Sequence, residues 1–106
     1  MTTPTYVRND KGFAITFQVK DSSGTVVNIT GATVKFKMRL SSATILKVDG
    51  TCTITDGPNG KCSYTVAATD FDTTGYYVAE LEVTFSGGTQ IQTAPLEDVR
   101  IIPDLP

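Results

Sequence analysis

Thr33-Val-Lys-Phe-Lys-Met-Arg-Leu40 and Thr73-Thr-Gly-Tyr-Tyr-Val-Ala-Glu-Leu-Glu-Val-Thr-Phe85 decide the fold class. In the first, Val34, Phe36, Met38 and Leu40 alternate with Lys35, Lys37 and Arg39, so an extended chain has one apolar and one charged face. The second repeats the pattern, with Tyr77, Ala79, Leu81, Val83 and Phe85 on one face and Glu80, Glu82 and Thr84 on the other. Both read as half-buried antiparallel strands. One polar face is basic and the other acidic, which suits neighbouring strands pairing across a ladder. Exposed pairs of this kind contribute only about 0–1 kcal/mol, so they speak to register more than to stability.

Working outward, Phe13, Ile15, Phe17 and Val19 alternate along an earlier strand that ends at Asp21-Ser-Ser-Gly24, a turn sequence. A short strand is expected over residues 26–28. Ser41-Ser-Ala43 breaks the strand after Leu40, and residues 44–48 and 52–55 read as two strands joined by a hairpin at Asp49-Gly50. Residues 62–67 form a further strand, 68–75 a polar crossing connection, and Gly87-Gly88 turns the chain into residues 89–93. Ala94-Pro95 bends it before a last strand over 99–102. No window holds the 3.6-residue period of a helix. Seven to nine short strands separated by turns at roughly 8–12-residue spacing indicate an all-β protein, an antiparallel β-sandwich, with a barrel as the other arrangement. Thr73-Thr-Gly-Tyr-Tyr77 resembles the stretch that places the buried tyrosine of immunoglobulin-like folds. Tyr77 is then expected inside, its hydroxyl returning to nearby backbone.

With 106 residues the chain has room for one core, and a single domain over residues 1–106 is expected. A net charge of −2 and a pI near 4.8 argue against retention on nucleic acid. No apolar run approaches the roughly 20 residues of a membrane helix, and Met1-Thr-Thr-Pro4 does not begin a secretory signal, so a soluble chain that is not exported is expected. Cys52 and Cys62 flank the turn Asp56-Gly-Pro-Asn-Gly60. If Ile54 and Tyr64 share the buried face, Cys52 lies opposite Tyr64 or Val66, and the two sulfurs are offset. Reduced thiols are expected, in keeping with assembly in a reducing cytoplasm.

Histidine is absent from the sequence, which removes the commonest general base and metal ligand. Asp70 and Asp72, with Asp49 and Asp56 on other loops, are the candidates for paired carboxylates or for calcium, but the spaced ligands of a calcium loop are missing and solvated loop positions are the better reading. No catalytic, cofactor-binding or metal residue is expected, and the chain reads as non-enzymatic. Tyr6, Tyr64, Phe71 and Tyr76 are candidates for a sugar-stacking platform; Tyr64 falls on a core phase, which leaves Tyr76 and Tyr6 as the exposed pair that a carbohydrate-binding module would use on host glycans. Asn28-Ile-Thr30 is read as a turn, not a glycosylation acceptor.

Asp21-x-x-Gly24, Asn28-Ile-Thr-Gly-Ala-Thr-Val-Lys-Phe-Lys-Met38, Ile54-Thr-Asp56, Gly60-Lys61, Tyr64, Asp70, Thr74-Gly-Tyr76, Ala79-Glu-Leu-Glu-Val-Thr-Phe85, Gly88 and Thr93-Ala-Pro95 resemble, in order and spacing, the N-terminal domain of bacteriophage baseplate upper proteins. The resemblance runs over residues 13–102. It implies an immunoglobulin-like sandwich in the virion, docked on other phage structural proteins of the baseplate, tail or capsid, in many copies and without chemistry of its own. Proteins of that family continue into segments that hold the receptor-binding protein; ending at Pro106, this chain is expected to be either an excised domain or, as the start at Met1 favours, a stand-alone clip on the capsid or along the tail. Its terminal strands, over 6–8 or 99–102, are expected to pair with a neighbour's sheet edge.

Overall fold

The alternation that opens the sequence places its apolar residues inside. The computed structural model describes residues 4–105, which form nine strands: β1 (Thr5–Val7), β2 (Ala14–Gln18), β3 (Thr33–Leu40), β4 (Val48–Thr51), β5 (Thr53–Asp56), β6 (Lys61–Thr65), β7 (Gly75–Thr84), β8 (Ile91–Pro95) and β9 (Val99–Ile102). They make two sheets. Six strands run in the order β1-β9-β7-β3-β4, with β8 also against β7, and three run β2-β6-β5.

β3 and β7 form the axis of the larger sheet, antiparallel from Thr33 opposite Thr84 to Leu40 opposite Tyr77. Val34, Phe36, Met38, Leu81 and Val83 point inward and are no more than 2% exposed. The basic and acidic faces are neighbours, as their charges suggested, with Lys35 opposite Glu82 and Lys37 opposite Glu80. The ion pairs run diagonally and to the next strand: Lys37 to Glu82 at 3.0 Å and Lys35 to Asp49 of β4 at 3.6 Å. Inside, the Phe36 ring stacks on Phe17 of β2 (centroids 5.5 Å) and lies 5.1 Å from Tyr64 of β6, so the two sheets face each other across one core. Burying a side chain of this size contributes about 1.5–3 kcal/mol. Tyr77 is wholly buried and its hydroxyl donates to the Thr73 carbonyl at 2.5 Å, the return to backbone expected of it.

Several elements differ from the sequence reading. Asp49-Gly50 is not a hairpin: both residues lie inside β4, Gly50 lacks the left-handed φ of a turn glycine, and residues 44–47 are not a strand. Glycine is there because the Tyr64 ring fills the space a β-carbon would need, with Cζ 2.8 Å from that position. With Cys52 alone between them, β4 and β5 lie in different sheets, and the Cys52 N–H still donates to the Val34 carbonyl at 2.8 Å. The hairpin here is β5–β6, turned by the 3-10 segment Gly57–Asn59 with Gly60 at φ 69°. Of the strand expected over 26–28, one bridge remains, Lys20 to Val26. β8 and β9 follow one another along the same edge of β7, out of register by one residue, so the bend expected at Ala94-Pro95 is a bulge at 96–98. β1 pairs in parallel with β9, which leaves β9 between β1 and β7 and removes residues 99–102 as a free edge.

Candidate interaction surface

The carboxylates singled out in the sequence lie apart and take three different roles. Asp70 is buried, not solvated: it accepts from the Tyr64 hydroxyl at 2.5 Å and from the Ala67 N–H at 2.8 Å. Burial, reinforced by this carboxylate, pushes the Tyr64 phenol well above its usual range. Asp72 stays exposed, pairs with Lys47 at 2.5 Å, and is held below the usual carboxylate range by that contact. Asp49 pairs with Lys35, and Asp56 accepts from the Asn59 amide at 2.9 Å. Among the described residues no group of three or more His, Cys, Asp or Glu side chains could hold a metal ion. Cys52 and Cys62 are buried free thiols, set diagonally by the register that puts Ile54 opposite Cys62. The contact between the two thiols, together with burial, pushes the Cys52 thiol up, and the same contact holds Cys62 below its usual range.

The aromatic residues do not make a platform. Tyr6 lies on Phe71 and Phe13, with centroids 5.0 and 5.8 Å away, and Phe71 is itself 1% exposed. Tyr76 is 59% exposed, but Tyr6 pairs with Ile101 while Tyr76 pairs with Arg100, one step away in the alternation. The two tyrosines therefore occupy opposite faces of the larger sheet. Arg100 covers the Tyr76 ring at 5.5 Å.

Besides a depression of about 450 Å³ over Thr16, Gln18, Thr55 and Lys61 on the three-stranded sheet, two concave regions stand out among the described residues. One, of about 260 Å³, opens between the sheets, where β2 faces a strip of the larger sheet made by β1, residues 96–97 and the start of β9. Ile15 and Phe17 form one wall, Tyr6, Leu96 and Val99 the other, and the cleft reaches the buried rings of Phe36 and Phe71. Glu97 is its charged lip. The other, about 330 Å³, lies on the outer face of the larger sheet between Lys37, Arg39, Leu46 and Pro95. Arg39 there donates to the Ala43 carbonyl at 2.7 Å and so ties down a loop whose Ile45 is 81% exposed. Sequence reasoning placed Ile15 and Phe17 in the core and did not single out Leu96; no local pattern marks residues that meet only because β2 and the 96–98 bulge face each other.

No curated protein matches this chain. The model of the BppU N-terminal domain matches residues 5–97, which takes in eight of the nine strands. Over that length the ends of the turns at Asp21–Gly24 and Asp56–Gly60 and the Asp70–Tyr64 contact fall on residues that carried the resemblance in the sequence. The chain belongs to the BppU N-terminal domain family, the baseplate upper proteins, and is a structural component of a phage baseplate and hence of a virion.

Proposed function

We propose that this chain is a non-enzymatic attachment module: one immunoglobulin-like sandwich domain over residues 1–106, present in several copies and working through protein–protein contacts with other baseplate chains. The family match over residues 5–97 carries this reading. Two features support it. The Asp70 carboxylate is engaged by Tyr64 inside the fold, and the cleft of about 260 Å³ beside β2 is walled mainly by apolar side chains. Quantitative mass spectrometry of purified particles tests it. The expected result is the intact chain at a fixed stoichiometry, a handful to a few dozen copies per particle. Its absence from particles overturns the proposal, and hundreds of copies would move it from the baseplate to the capsid or tail tube.

A further inference from the structure

Every open sheet ends in strands whose outer N–H and C=O groups are unpaired, and proteins blunt such edges with short strands, charges, proline or bulges. Among the described residues, four edge strands here are blunted. β1 has three residues and follows Pro4; β4 carries Asp49; β5 is bulged between Ile54 and Asp56. β8 carries Pro95 on its free side: the bonds from Phe85 N–H to the Gln90 carbonyl and from Leu96 N–H to the Ala79 carbonyl turn residues 90 and 96 toward β7, so 91, 93 and 95 face away.

β2 has none of these devices. Ala14-Ile-Thr-Phe-Gln18 is uncharged, free of proline, and in unbroken register with β6. The bonds at its two ends, Val66 N–H to the Phe13 carbonyl at 2.9 Å and Val19 N–H to the Gly60 carbonyl at 2.8 Å, turn the odd residues toward β6. The N–H and C=O groups of Ala14, Thr16 and Gln18 therefore point out of the sheet, where no described strand pairs with them. Along this edge runs the cleft of about 260 Å³. A strand added beside β2 would send alternate side chains, about 7 Å apart, down onto Ile15, Phe17, Leu96 and Val99.

Charge says what the strand carries. Of the nine Lys and Arg residues, Arg8, Lys35, Lys37 and Lys47 are in ion pairs, Arg39 is bound by carbonyls and Arg100 covers Tyr76. Among the described residues the remaining three, Lys11, Lys20 and Lys61, join no ion pair, and they surround β2: two bracket it in sequence and Lys61 sits opposite Gln18. A second copy does not suit the site, because two β2 strands paired antiparallel would set the two overhanging strips of large sheet against each other.

We infer that the free edge of β2 receives an extended apolar strand, flanked by acidic residues, from a different chain of the baseplate. This rests on the baseplate reading above. The test is incorporation of Thr16→Pro into phage particles: its N–H faces away from β6, so the ladder within the chain stays intact while the edge loses a donor and gains a ring. Wild-type chain is expected in particles and the variant reduced by about tenfold or more, with cooperative unfolding of the isolated variant retained. If Thr16→Pro does not fold, the exposed double variant Lys11→Glu, Lys20→Glu is expected to lower incorporation, and amide exchange over residues 13–19 of the wild-type chain is expected to be slower in particles than in isolation. Equal incorporation of a folded variant, or unchanged exchange, overturns the inference and leaves the baseplate reading standing; absence of wild-type chain from particles overturns both. A dimer of the isolated chain abolished by Thr16→Pro would make the donor a second copy and overturn the assignment to a different chain.

Discussion

The two sheets present different surfaces. The outer face of the six-stranded sheet is laced with charge, Lys35, Lys37, Glu80, Glu82 and Asp49 standing side by side over β3, β4 and β7. That of the three-stranded sheet is Ala14, Thr16 and Gln18 against Lys61, Ser63 and Thr65, then Thr53 and Thr55, and none of these residues joins an ion pair. The first is a face built for water. The second is short, weakly charged and open at β2, which is how a sheet looks when pairing with another chain is allowed. The two outer faces thus differ in kind, although both sheets share one core.

The contrast can be broken most severely at the residue that joins the layers. Phe36→Ala removes the ring that touches both Phe17 and Tyr64 and is expected to cost about 3–5 kcal/mol by urea denaturation, enough to unfold much of the population of a marginal domain. Gly50→Ala puts a methyl group where the Tyr64 ring lies, and a loss of about 1–3 kcal/mol is expected from the forced shift of that ring. Tyr77→Phe affects the larger sheet alone, deleting one hydroxyl and its bond to Thr73, with an expected cost of about 1 kcal/mol.

The smallest effect belongs to the charged face. Lys37→Met should shift the thermal midpoint only slightly, and the shift should vanish in about 1 M salt. Acid probes the ion pairs together. Asp72 and Asp104 titrate below their unfolded values because Lys47 and Arg8 hold them, so their contribution is complete above about pH 4 and is lost as pH falls through the lowered folded values. A thermal midpoint that is flat from pH 5 to 7 and falls below about pH 4 is expected, and a midpoint rising in acid would contradict it.

What could be read from the sequence followed the range of each interaction. The strands β3 and β7, the turn at Asp56–Gly60, the diagonal offset of the cysteines and the Tyr77 hydroxyl bond were legible because each is fixed by alternation or by partners a few residues apart. Asp49-Gly50 misled because its glycine answers to the Tyr64 ring across the core, not to a local turn. Asp70 looked solvated because nothing nearby in sequence announces that Tyr64 will bury beside it. The parallel pairing of β1 with β9 joins residues almost a whole chain length apart, and the cleft beside β2 depends on that pairing and on the 96–98 bulge. Its walls had no signature of their own.

The parallel β1–β9 pair has a mechanical consequence. The chain enters β1 at one end of the pair and leaves β9 at the other, so tension applied through the residues before Thr5 and after Ile102 pulls the strands lengthwise past each other. All the hydrogen bonds between them then bear load at once, where an antiparallel hairpin pulled from its open end would give way one bond at a time. Load carried through the two ends of the fold is therefore met by shear, with its first and last strands as the fastening.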